Sequence, residues 1–168
     1  MKKILQVEGM SQYHASIDTA YHSSACGPVT AYIIARELGK EQWTVNDFYR
    51  QLKGTRIGLF THRMIRYMQR FLGPSYDVQR CSLKEALSEI DQGRIVAMKF
   101  DKYFSFRWFG TFSFSYHWVP LIGYELEQDQ LYLYIHDNGG RNRNSRVRKI
   151  PYGPNHEIIT FIRFTPLN

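Results

Sequence analysis

The sequence is poor in cysteine and in uninterrupted apolar runs, and each shortage closes off a class of protein. Two cysteines among 168 residues cannot build the disulfide framework of a small secreted scaffold, and no pair of Cys-x-x-Cys motifs is present to hold structural zinc. No stretch approaches the roughly 18 apolar residues of a membrane span. At the amino terminus Lys2 and Lys3 precede an apolar run that Gln6, Glu8 and Gly9 interrupt, too soon for the apolar segment of a signal peptide. A cytoplasmic protein with reduced thiols and a core that stands alone is therefore expected.

Acidic residues are the other shortage. Fifteen Asp and Glu face 22 Lys and Arg, leaving a formal charge of +7, which favours an acidic partner or serves solubility. The densest basic run, Arg141 to Lys149, has neither helical nor strand periodicity and reads either as a solvated loop or as a contact for an anion. A basic nucleic-acid-binding module is the rival that this charge raises, but no recognisable binding motif accompanies it.

What the chain does have is the material for a core. With 43% hydrophobic, 15% aromatic and 22% charged residues over one domain's length, disorder and low-complexity polymers are excluded, and residues 1–168 read as a single domain. Apolar groups at Val29, Ala31, Ile33, Ile34 and Leu38 predict a largely buried helix over 26–38, started at Cys26-Gly27-Pro28 and ended by Gly39. Thr44 is expected to cap a short helix over 45–52, Thr61 another over 62–72 that Gly73 and Pro74 stop, and Ser82 with Glu85 a fourth that Gly93 closes. After Gly93 the pattern changes to β-branched and aromatic runs at 95–100, 117–124, 131–136 and 158–164. A helical first half and a sheet-forming second half predict an α+β fold with two lobes in one domain.

A cysteine attacks only as thiolate, and the unpaired N–H groups and positive dipole end of a helix amino terminus favour that form. Cys26 has that setting. Cys81, beside the Ser82 cap, reads as a buried or idle thiol. A thiol catalyst next needs an imidazole to take its proton and a carboxylate or amide to orient the ring. Folding residues 117–137 as a hairpin centred on Glu127 sets His117 opposite Asp137, and Val119, Leu121 and Gly123 against Ile135, Leu133 and Leu131 as one apolar face. Pro120 in that strand argues for a sheet edge or a bulge. The bland reading of Asp137 is a turn-starting carboxylate before Asn138-Gly139.

Several short motifs occur together: Gln12-Tyr13, Ser24-Ala25-Cys26-Gly27-Pro28-Val29-Thr30, Gly54-Thr55 before a helix, His117-Trp118-Val119 with Gly123-Tyr124, and Asp137. In this order the chain resembles the papain-like cysteine peptidases of the C-39-like type, whose best-known members trim double-glycine leader peptides from bacteriocins. The resemblance implies a papain-like fold with Cys26 as nucleophile, His117 as general base, Asp137 as the group that orients the imidazole and Gln12 as oxyanion donor, with Gln6 as the possible substitute. It implies a bacterial-type peptidase that cleaves an amide through a thioester, or an acyltransferase using the same three residues, with a peptide or acyl substrate and no metal or organic cofactor. A non-catalytic peptide-binding member is the third reading. Two departures stand out: Asn138 follows Asp137 where proline is usual, and Pro120 interrupts the histidine strand. The transporter-linked members carry membrane spans and an ATPase, and neither is recognisable here.

Two further features have competing readings. His22, four residues before Cys26, invites a shared metal, but no third ligand lies near in sequence. The ten aromatic residues from Phe100 to Trp118 are expected to supply core, or else a flap or groove wall beside His117.

Overall fold

Thr44 and Ser82 each receive a backbone N–H from the third helical residue, Asp47 and Glu85, and each of those carboxylates reaches back to the cap. These two capping boxes start α2 (Val45–Gln51) and α4 (Leu83–Asp91) where the sequence predicts them. The computed structural model, which describes residues 1–167, adds α1 (Cys26–Glu37), α3 (Thr61–Leu72) and a single turn α5 (Tyr152–Asn155). Thr61 does not cap α3: Phe60 is the last extended residue, and Thr61 is already buried inside the first turn.

The strands are β1 (Lys2–Ile4), β2 (Tyr76–Cys81), β3 (Val96–Asp101), β4 (Tyr116–Glu127), β5 (Gln130–Asp137), β6 (Arg146–Pro151) and β7 (Ile159–Pro166). Among the described residues they form one antiparallel sheet in the order β2-β7-β3-β4-β5-β6, with β1 paired to β4. Three of these strands escape the sequence reading. β1 has three residues, β2 lies in the half read as helical, and β6 occupies the basic run read as aperiodic. β6 is exposed at half of its residues and fully buried only at Ile150, so its apolar alternation is too faint to mark a strand.

Both faces of the sheet are covered. Trp118, Ile122 and Tyr134 join Val29, Ile33 and Ile34 of α1 on one side, while Met98, Phe100, Val119, Leu121 and Ile135 meet Ala86 and Ile90 of α4 on the other. β3 is buried at every residue as a result. The aromatic segment divides: Phe100 and Trp118 are core, whereas Tyr103, Phe104, Phe106, Trp108 and Phe109 are exposed on the β3–β4 connection rather than packed.

β4 and β5 carry the two predicted partners of the cysteine, but in a different register from the one the sequence suggests. Gln128 and Asp129, both at positive φ, form a two-residue turn that pairs Glu127 with Gln130 and Gly123 with Tyr134. A bulge then intervenes, so Leu121, not Ile122, faces Ile135. Carried on, this register sets Asp137 across from Val119 and diagonal to His117, two residues from the predicted opposition. Pro120 sits inside β4 between β3 and β5, opposite Ala97, and not at a sheet edge; the bulge lies just beyond it.

The bulge decides the face on which the histidine partner appears. In the register of the turn, Asp137 would oppose Pro120 and point to the face opposite His117. One extra residue on β4 reverses that parity. Beside the bulge, Gly123 lets β1 close on β4, because a Cβ there would lie 2.4 Å from the Lys3 carbonyl oxygen of β1.

Candidate active site

Cys26 is the first residue of α1 and is buried. Val29 N–H closes the first helical bond, to Ala25 O at 2.8 Å, so the N–H that Pro28 lacks has no intrahelical acceptor to miss. Ala25 offers no side-chain cap, which leaves first-turn N–H groups available beside the sulfur. Gly27 lets the helix press on β4, since a Cβ there would meet Leu59 Cβ at 2.7 Å and Trp118 at 3.3 Å.

His117, near the start of β4, pairs with Phe100 of β3, and its ring Nε2 lies 3.1 Å from Asp137 Oδ1. That bond leaves Nδ1 as the ring nitrogen for the thiol. Burial disfavours the imidazolium, but the Asp137 hydrogen bond and the adjacent Cys26 thiol outweigh it, raising the His117 pKa from 6.5 to about 9. Asp137 has no exposed surface. Burial works against its charge, and His117, Arg148 and Arg143 together hold its carboxyl well below the usual range.

Gln12 is buried on the same cavity, its backbone N–H bonded to Asn138 O at 2.8 Å. One amide proton goes to the His22 carbonyl at 2.7 Å, leaving the second to donate elsewhere. Gln6 lines a different cavity, against Ile34 and Phe164. His22 is not paired with Cys26 around a metal: its ring bonds Ile17 O at 3.0 Å and stacks edgewise on Tyr13. The structure thus brings Cys26, His117, Asp137 and Gln12 around one cleft of about 340 Å³, with Phe114 and Tyr116 as part of its wall.

Three residues of the site escape the sequence reading. Arg143 and Arg148 reach Asp137 Oδ2 at 2.9 and 3.2 Å, so two cations of the basic run bind the carboxylate that faces the histidine. Arg143 returns through the Gly140–Arg143 turn, and Arg148 pairs with Ile135 from β6. Arg148 also lies over the Phe114 ring, which in turn packs 4.7 Å from the His117 ring. The third is Asn138, fully buried, whose amide nitrogen lies within 3.2 Å of Cys26 O, Trp118 O and Thr30 Oγ1. It ties the nucleophile's helix to the histidine's strand at the position where the sequence departs from the resemblance. Only the spacing of a run with no strand pattern could have announced these contacts. Cys81 is remote in character: burial, with Glu85 nearby, pushes its thiol up to about 12.

A cysteine at a helix amino terminus, facing a histidine held by a carboxylate on an antiparallel sheet, is the arrangement of the papain-like α+β fold. A profile of the Peptidase_C39 like family matches residues 4–164, and the chain belongs to that family. Its backbone is similar to that of a C39-like peptidase from Bacillus anthracis, with a TM-score of 0.62 at 13% identity over 98% of this chain and 99% of the other. It is also similar to the peptidase domain of Streptococcus ComA, a bi-functional ABC transporter involved in quorum sensing, with a TM-score of 0.59 at 11% identity over 98% of each chain. A double glycine motif protease from an AMS/PCAT transporter, solved with its leader peptide, gives 0.59 at 14% identity over 98% of this chain and 94% of the other. No curated protein sequence matches. Among the described residues no helix is long and apolar enough to cross a membrane.

Proposed function

We propose that this domain is a cysteine peptidase in which Cys26 forms a thioester with the acyl half of a cleaved peptide. The observation that carries the reading is the His117–Asp137 pair, hydrogen-bonded at 3.1 Å and sharing a cleft with Cys26. His117 takes the thiol proton, and the buried negative charge of Asp137 stabilises the imidazolium that results. The thiolate attacks the carbonyl carbon, and the oxygen gains negative charge between the Cys26 backbone N–H and the uncommitted amide proton of Gln12. His117 then protonates the departing amine. In the second half it deprotonates a water that opens the thioester and restores the thiol. Family membership and the peptidase folds to which the chain is similar support this reading.

The first substrate to assay is a peptide with a double-glycine segment, because one protease of similar fold is described by that motif. Product masses locate the cut, and Cys26→Ala should abolish it. A fully active Cys26→Ala protein overturns the mechanism. Adding an acceptor amine or thiol separates hydrolysis from acyl transfer, since a transferase forms conjugate faster than free acid. Gln12→Ala should lower kcat by about 10²–10³ with little change in KM, as loss of one oxyanion donor does, together with a fall in Tm, about 1–3 kcal/mol of stability, because the His22 carbonyl loses its donor, while Gln6→Ala should be silent.

A further inference from the structure

The lip of the cleft carries a built feature that the Cys26, His117, Asp137 and Gln12 set does not use. Thr55 and Gly58 close a tight turn by two backbone hydrogen bonds of 3.1 and 2.9 Å, and the Thr55 hydroxyl adds a third to Gly58 O at 2.8 Å. Gly58 has φ +110 and lies so close to Tyr116 that a Cβ would meet its phenol oxygen at 2.2 Å. The Tyr116 hydroxyl in turn donates to Leu59 O at 3.0 Å. A turn fixed this firmly to the cleft wall presents its two tip residues, Arg56 and Ile57, as exposed side chains on the rim.

The charge around this cleft is one-sided. Among the described residues that line it, Asp137 is the one carboxylate, and it is already shared by His117, Arg143 and Arg148. Arg56 has no ion-pair partner among the described residues, although it lines the same cleft as the nucleophile. Asp47, with Arg50 on the neighbouring helix α2, shows the contrast of a charge answered within the fold. An exposed, unanswered guanidinium on a rigid turn is suited to bind a carboxylate brought by a ligand.

We propose that Arg56 selects substrates carrying a carboxylate side chain near the cleaved bond, with Ile57 covering an adjacent apolar group. This rests on the reading of the cleft as the peptidase site. It narrows the general preference for acidic partners that a charge of +7 suggests to one residue at one rim.

The test compares alkylation of Cys26 by iodoacetate, which carries a carboxylate, with alkylation by the neutral iodoacetamide, read by mass spectrometry of the Cys26 peptide. Arg56→Gln should slow iodoacetate roughly three- to tenfold at low salt, an effect of the size that one charge exerts across a cleft mouth, and should leave iodoacetamide nearly unchanged. Arg56→Lys should keep the preference, and high salt should erase it in the wild-type protein. In parallel, a cleaved peptide with glutamate beside the bond should lose kcat/KM on Glu→Gln replacement in the wild type and not in Arg56→Gln. Equal effects of Arg56→Gln on both reagents, or none on either, overturn the acidic selection while leaving Cys26 as nucleophile. A Cys26 that neither reagent labels faster than Cys81 removes the peptidase reading and this proposal with it.

Discussion

The two ends of the β4–β5 hairpin use the same kinds of residue to opposite effect. At the turn, Glu125 and Glu127 meet Lys149 at 2.9 and 2.5 Å in a solvated setting, with regular pairing between the strands. At the far end, beyond the bulge, Asp137 meets His117, Arg143 and Arg148 with no exposed surface of its own. Water and salt screen the first cluster, so its charges answer mainly to solvent. The second is shielded, so a single carboxylate there governs the protonation of its neighbour. Lys149 and Arg148 are adjacent in sequence and about equally exposed, yet only Arg148 meets a carboxylate that is itself fully buried.

The largest effect should come from the buried end. Asp137→Asn keeps the shape of the carboxylate but removes its charge, and is expected to lower kcat by several orders of magnitude, up to about 10⁴-fold. It should also move the alkaline limb of the pH profile. With Asp137 present, the imidazolium persists to about pH 9, so kcat/KM should fall as pH rises through that value. Without the negative charge burial dominates, the His117 pKa drops, and the limb moves to lower pH. The same linkage bears on stability. A folded-state pKa raised from 6.5 to about 9 contributes stability that is fully present below 6.5 and is lost as pH climbs through 9. Asp137 has the opposite sign, its contribution being lost only in strong acid. An unchanged alkaline limb in Asp137→Asn would break the contrast between the two ends.

The bulge between the ends offers a second test. Gly123→Val forces a side chain into the β1 backbone and should cost about 1–3 kcal/mol, read as a lower Tm. It should also lower kcat in molecules that stay folded, because a shift of pairing by one residue turns Asp137 away from His117. A variant with full activity would show that the face of Asp137 does not depend on the bulge.

The same bulge explains how far the sequence could be read. Counting outward from Glu127 pairs His117 with Asp137, and the two do meet, but through a diagonal contact. That count omits both the Gln128–Asp129 turn and the extra residue at Ile122–Gly123, and the two omissions together shift the register by an even number, which preserves the face. Gln128-Asp129 carries no Asn-Gly signal for a two-residue turn, so local chemistry could not have fixed it. Cys26 was legible because Gly27, Pro28 and the apolar spacing after it mark a helix start directly. The four main helices follow from caps and periodicity, whereas β6 does not, since an exposed outer strand rich in arginine lacks the alternation that reveals buried ones. The arginines that hold Asp137 come from that strand and the turn before it, so missing the strand meant missing them.

Removing those arginines should give smaller effects than removing Asp137 itself. Arg148→Ala leaves Arg143 and His117 on the carboxylate, so the expected loss of stability is about 1–3 kcal/mol, less than for a buried charge left with no partner. Its effect on pH should be opposite to that of Asp137→Asn. With one neutralising cation gone, the carboxylate acts more strongly on the imidazole, and the alkaline limb moves up from about 9.

Lys149→Ala, one residue away, should be the quietest change. Its partners Glu125 and Glu127 regain water when the ammonium is removed, and Tyr134 still donates to Glu125 at 2.6 Å. Neither Tm nor the alkaline limb should move beyond the error of the measurement, and raising the salt should remove any residual difference from wild type. The pair of variants therefore compares a buried partner carboxylate with solvated ones, since charge, strand and the exposure of the cation itself are nearly shared. If Lys149→Ala shifted the limb as far as Arg148→Ala does, the field of the whole basic strand would set the histidine, and the two guanidinium contacts on Asp137 would lose their special standing.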